Sequence, residues 1–217
     1  MSSHLPDDVT LRQATTGDHA QVAALIEAAF GHEEGPAVAA MVGAIRRGPF
    51  ARDEYEWVAW TRDAEAALTR DRAADDASGH DADHVAADDA ADDVDREVVG
   101  HVVLSGTTLH TPRGDTEVLL LSPLAVRPDR HGQGIGTALV ERVVGLADAA
   151  GEPLIVVLGD PRFYGRCCFV PSAPHGITQD VPEWAPAEAS QVRLLSGYAA
   201  HGRPAGRIVY PDYVPTS

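Results

Sequence analysis

The sequence contains no lysine: its 17 basic residues are all arginine, set against 33 aspartates and glutamates, for a formal net charge of −16. A nucleotide loop of the Gly-Lys-Ser/Thr kind is therefore excluded. The same charge balance speaks against nucleic acid as a partner, because a polyanion is repelled by an acidic surface. Cysteine is scarce as well. Cys167 and Cys168 are neighbours, so they suit neither ordinary disulfide geometry nor a spaced metal set, and they read as small apolar fillers. No metal site is expected. No uncharged apolar run reaches 18 residues, which argues against a membrane span. The start, "MSSHLPDDVTLRQ", lacks the basic region and apolar core of a secretory signal, so a cytoplasmic location is expected.

What is present is a chain of 217 residues that is 44% hydrophobic, enough for one domain with a sizeable core plus an insertion. The expected organisation is a single domain, 1–217, interrupted at 63–96. Between Arg62 and Glu97 stand 13 acidic residues against four arginines, a net −9, mostly as Asp and Ala. Such a stretch has too little apolar surface to offset its ordering entropy and reads as a disordered or solvated extension between two strands. A sharper alternative is an acidic metal-binding loop using His80 and His84, but the ligand rhythm of a calcium loop is missing. An acidic, lysine-free composition resembles that of proteins from salt-loving microbes, where salt screens the self-repulsion.

Residues 9–15 alternate as a strand should. Asp18 is placed to cap a helix through "HAQVAALIEAAF", with Val22, Leu25, Ile26 and Ala29 on one face and Gly31 at its end. A second helix is predicted over 35–48, with Pro36 in its first turn and Gly48 beyond its end. Strands are predicted at 56–62, 97–110, 116–126 and 152–160, a helix at 134–150, and strand pieces at 190–197 and 206–211. The runs at 116–126 and 152–160 are almost continuously apolar, as in strands covered on both faces. A strand, helix, strand series with short links implies a right-handed crossover and parallel pairing.

"LAVRPDRHGQGIG", residues 124–136, places Gly132, Gly134 and Gly136 between a buried strand and a helix. Backbone N–H groups from Gln133 to Thr137 could converge there on an anion, helped by the positive end of the helix dipole. The dinucleotide pattern G-x-G-x-x-G fails, because its last glycine would be Thr137. The spacing alone fits either a diphosphate cradle or glycines used for a tight turn and close helix packing.

"LAVRPDRHGQGIGTALVERV" resembles motif A of the GNAT acetyltransferase superfamily, Q/R-x-x-G-x-G/A after an apolar strand, and "GDPRFYGRCCFVP" resembles the family's later tyrosine segment, as in one branch of small acetyltransferases. The order of elements matches over most of residues 8–172. The family's first motif residue is His131 here, beside Arg130; its glycine before the phenylalanine is Cys168; and Asp160-Pro161 stands where the family often has a cofactor-binding asparagine.

The resemblance implies an α/β GNAT fold: a mixed, mostly antiparallel sheet of six to seven strands, splayed between the fourth and fifth, with about four helices. It implies acetyl-CoA as cosubstrate, held by Leu124, Ala125, Val126, Arg130, His131, Gly132, Gln133, Gly134, Ile135, Gly136 and Thr137. It implies an amine acceptor of unknown identity, Tyr164 as proton donor to the departing thiolate, and pairing of two copies through the C-terminal strands. Candidate bases are Glu117, Ser122, His101 and His110; Glu27, Glu33 and Glu34 could attract a cationic amine, although structural roles suit all of these residues too. A non-catalytic acyl-CoA-binding module is the alternative.

Overall fold

A computed structural model describes residues 5–62, 96–182 and 185–214. The expected acidic extension at 63–96 lies outside these residues, apart from Arg96.

The chain begins with β1 (Val9–Gln13), followed by α1 (His19–Arg47). The helix is interrupted at Gly31, whose φ of 78° breaks the hydrogen-bond ladder. Helix therefore resumes ahead of the predicted residue 35. The two segments touch: a Cβ on Gly35 would lie 2.6 Å from the Glu27 Cα, so only glycine permits the contact. Asp18 holds the N-cap position of α1 as expected, but its side chain makes no bond to the first turn of that helix. Its carboxylate instead accepts from Thr15 N–H at 2.7 Å and from both Arg12 guanidinium ends at 2.6 and 2.7 Å. A buried acid is better satisfied by a charged partner than by a helix end alone.

Strands β2 (Glu56–Arg62), β3 (Arg96–Thr111) and β4 (Gly114–Val126) form a long antiparallel meander with β1. Then come α2 (Ile135–Ala149), β5 (Leu154–Leu158) and the short α3 (Pro161–Tyr164). Two-residue strands β6 (Val170–Pro171) and β7 (Ile177–Thr178) precede β8 (Ser190–Leu194) and β9 (Gly206–Val209). The sheet runs β1-β2-β3-β4-β5-β8-β6, with β9 pairing β3 and β7. The described residues thus hold nine strands rather than six or seven, the excess being the two-residue pieces. Pairing is parallel at β4–β5, as predicted, and at β7–β9, and antiparallel elsewhere.

Both faces of the sheet are covered. On one, α2 packs Ile135, Leu139 and Val143 over Val102, Leu119, Leu121, Ile155 and Val157. On the other, α1 covers Val58, Val98 and Ala125, and Ile177, Val192 and Ile208 of the C-terminal strands pack with Leu109, Leu120 and Val156. Double coverage explains why β4 and β5 read as unbroken apolar runs. α2 is seated closely: a Cβ on Gly100 of β3 would come within 2.9 Å of Ile135 and Leu139.

A polar group is buried beneath α1. The Glu56 carboxylate accepts from Arg46 at 2.5 Å and from His101 Nε2–H at 2.9 Å. Burial pushes Glu56 upward, but the His101 and Arg46 hydrogen bonds outweigh it and hold the group at about 2. His101 is fully buried and desolvation keeps it below the ordinary histidine range, so Nε2–H is the donor of a neutral ring.

Candidate active site

β4 and β5 pair at only two positions, Leu119 with Ile155 and Leu120 with Val156. β4 then continues to Val126 and β5 to Leu158, and the strands part. On its other side β4 stays bonded to β3, with His101 opposite Ala125 and the Arg127 N–H donating to the Val99 carbonyl at 2.9 Å. The alternation of an antiparallel ladder therefore turns the Ala125 main chain toward β3 and the Leu124 and Val126 main chains toward the opening.

At the end of β4 a turn through Pro128–Arg130 leads into the glycines. Gly132 and Gly134 have φ of 77° and 84°, a left-handed conformation that costs other residues roughly 1–2 kcal/mol. Gly136 is helical, and its need is for space: a Cβ there would lie 3.3 Å from Phe163 and 3.4 Å from Val126. The first main-chain bond of α2 runs from Ala138 N–H to Gly134 C=O at 2.9 Å, and no side chain caps the helix. The N–H groups of Ile135, Gly136 and Thr137 precede that bond and point out of the helix end as free donors.

These donors open on a cleft of about 480 Å³, lined by Leu124, Val126, Arg130, His131, Gly132, Gly134, Ile135, Gly136, Thr137, Phe163 and Arg166. No carboxylate is among the lining residues. Arg130 donates to Gln133 Oε1 at 3.3 Å and also pairs with Asp8, whose carboxyl this pairing holds below the ordinary range. Arg166 is braced by donating to the Arg162 carbonyl at 2.7 Å and lies over the Phe163 ring. His131 donates from Nε2–H to the Val126 carbonyl at 2.8 Å, tying the turn to the strand end. Uncapped amides, a helix dipole and two guanidinium groups together suit an anionic ligand, and the open edge of β4 suits an amide-bearing arm beside it.

Nine of the 12 residues singled out in the sequence line this cleft. Ala125 does not; its side chain is buried under α1. Gln133 stands beside it, bonded to Arg130. Tyr164 is 8% exposed and packs edge-on against Phe163 and Phe169, and burial raises its phenol well above the ordinary range. A Cβ on Gly159 would strike the Tyr164 ring at 2.4 Å, so this glycine fixes the tyrosine against the end of β5. Phe163 and Arg166 escaped the sequence reading, although they lie close to the quoted tyrosine; nothing in spacing alone tells which residues of a four-residue helix and the turn after it face a cleft. α3 itself starts as foreseen, with Asp160 accepting from the Arg162 N–H at 2.9 Å and Pro161 in the first turn.

The candidate bases are dispersed. Glu117 pairs with Arg52, His110 bonds Asp115 at 2.6 Å near the β3–β4 turn, and His101 is held by Glu56. Ser122 stands at the point where β4 and β5 part, while Glu27, Glu33 and Glu34 are exposed on α1. Among the described residues no cluster of three or more His, Cys, Asp or Glu could hold a metal ion, and no helix is long and apolar enough to cross a membrane.

The chain is 30% identical over 113 residues to an uncharacterized N-acetyltransferase, YhbS, of Escherichia coli (strain K12); the match covers 52% of this chain and 65% of the relative, just under two thirds of its length. Its fold is similar to the crystal structure of YhbS from Escherichia coli in complex with CoA, with a TM-score of 0.66 and 23% identity over 97% of this chain and 95% of that one. It is also similar to a GNAT family acetyltransferase from Brucella melitensis in complex with acetyl-CoA, with a TM-score of 0.59 and 19% identity over 98% and 99% of the two chains. A model of the acetyltransferase (GNAT) family matches residues 49–167, which run from just before β2 through the glycine turn into the tyrosine segment. With more than half of its length matched in this way, the chain belongs to the GNAT acetyltransferase family.

Proposed function

We propose that this protein transfers an acetyl group from acetyl-CoA to a primary amine by direct attack. The observation that carries this reading is the uncapped start of α2, with the N–H groups of Ile135, Gly136 and Thr137 facing a cleft at the point where β4 and β5 separate. In this reading the diphosphate sits on those amides between Arg130 and Arg166. The pantetheine arm pairs with the Leu124 and Val126 main chain, replacing the missing strand. A β4 amide polarises the thioester carbonyl, and Tyr164 returns a proton to the departing thiolate. Burial raises that phenol, which keeps it protonated and also makes it a weaker acid than an exposed tyrosine.

A second reading, an acyl-CoA-binding regulatory module, is favoured by one observation: Tyr164 is 8% exposed and is not part of the cleft lining. Release of free thiol from acetyl-CoA over a panel of amines, at high salt, separates the two. Turnover that falls at least tenfold in Tyr164→Phe, with unchanged CoA affinity by calorimetry, supports the enzyme. CoA binding without thiol release on any amine favours the module. The same resemblance carries the homodimer; sedimentation showing only monomer removes it.

A further inference from the structure

A second cavity, of about 130 Å³, lies against the same two strands. Its walls include Leu120, Ser122, Leu158, Asp180, Tyr210 and Val214. The register shift of β4 against β3 between Leu121 and Leu124 reverses which side chains face α2, and so places the cavity on the face opposite the cleft. Before the shift Leu120 belongs to the core beneath the C-terminal strands and Leu121, also in the wall, to the α2 core; after it Leu124 and Val126 pack toward α2. Ser122 and Leu158 therefore border the opening between β4 and β5 from one face, and the cleft borders it from the other.

The chemistry of this cavity is narrow. Its walls are mainly aliphatic. Asp180 is the only carboxylate among the lining residues, and it is engaged by Arg207 at 2.7 Å. Tyr210 is held in place, donating to Gln179 Oε1 at 2.6 Å. Gln179 in turn donates to Ser190 Oγ at 2.9 Å and to the Val157 carbonyl of β5 at 3.3 Å. The wall formed by the C-terminal segment is thus tied to the strand that borders the opening. The volume is well below the roughly 300–1,000 Å³ of sites for drug-sized ligands.

Resting on the acetyl-CoA reading of the cleft, we propose that this cavity receives the acceptor, that the acceptor is a compact primary amine with a short apolar body, and that Tyr210 limits its size. An aliphatic wall favours the neutral amine, the form that attacks. The nitrogen bonds the acetyl carbon, the C–S bond breaks, Tyr164 protonates the departing sulfur, and the proton that the nitrogen gives up restores the phenol. A polyamine would need several carboxylates to meet its charges, and the lining offers one that is already paired.

The test compares propylamine, butylamine and hexylamine with spermidine and a lysine-containing peptide, following thiol release from acetyl-CoA while calorimetry monitors CoA affinity. The short alkylamines should be acetylated in preference to the other two. Ser122→Leu, which fills the cavity, should raise the butylamine KM at least tenfold with CoA affinity unchanged. Tyr210→Ala should shift preference toward hexylamine, and Tyr210→Phe, which loses only the tether, should give a smaller shift in the same direction. Should Ser122→Leu or Tyr210→Ala fail to fold, Tyr210→Phe and the amine preference of the wild-type protein still decide. Preference for spermidine or the peptide, or an unchanged butylamine KM in folded Ser122→Leu, overturns the proposal while leaving the cleft reading intact. Failure of the wild-type protein to bind acetyl-CoA overturns both.

Discussion

Replacing Gly136 with valine separates a phosphate cradle from glycines that serve only folding. Gly136 has helical geometry, so valine meets no backbone strain, unlike the left-handed Gly132 and Gly134. Its Cβ would lie 3.3 Å from Phe163 and 3.4 Å from Val126, contacts a ring edge and a methyl can relieve by small shifts. Valine is also a slightly better helix former than glycine, so the folded state should survive with a melting temperature within about 3 °C of wild type. The added methyls, however, enter the cleft beside the Ile135, Gly136 and Thr137 amides. Hydrogen bonds to a charged acceptor contribute roughly 1.5–3 kcal/mol each, and losing two of them costs about 3 kcal/mol or more. CoA affinity should then fall at least 100-fold by calorimetry. Gly145→Ala on the same helix, where a Cβ meets open space, should bind normally. A folded Gly136→Val protein that binds CoA within threefold of wild type would refute the cradle.

Three further outcomes follow from the fold. Cys168 sits at φ 61°, a conformation glycine adopts freely, so Cys168→Gly should stabilise by up to about 1 kcal/mol, a rise of roughly 2–4 °C in calorimetry; a fall in melting temperature would contradict this. Glu56 is held at about 2 against an ordinary 4.5, so its contribution of about 3 kcal/mol is complete above pH 4.5 and fades as pH drops toward 2. Arg46→Ala should destabilise by about 3 kcal/mol at neutral pH in urea titrations and raise the pH at which acid unfolding begins; no change in either would show the ion pair to be inert. Finally, Arg62 and Arg96 are cross-strand partners, so an Asn-Gly turn in place of 63–95 fits a hairpin and should leave the melting temperature nearly unchanged; collapse of the fold would assign the segment a structural role.

Much of this molecule is legible in its sequence because local rules dominate there. β2 begins and ends at the predicted residues, and α2 follows the glycine turn as its spacing requires. The parallel β4–β5 pair follows from two apolar runs joined through a helix. The illegible parts depend on distant contacts. Asp18 looked like a cap, but Arg12 across the turn claims its carboxylate. Gly31 looked like a helix end, yet packing of Glu27 on Gly35 lets the helix resume at once. Ala125 sits amid cleft residues in sequence, and only the β3 ladder shows that its main chain turns the other way. The second cavity draws walls from residues 120 to 214, a grouping no local pattern could announce.

Two rungs are all the main-chain bonding that spans the seam between β4 and β5. The N-terminal meander and the C-terminal strands otherwise meet there through side-chain packing and through β9 reaching across to β3. A guest threaded along that seam would act as an additional strand, joining two half-sheets that share few main-chain bonds without it. Occupancy and rigidity would then rise together, with amide protons bordering the seam the first to register it.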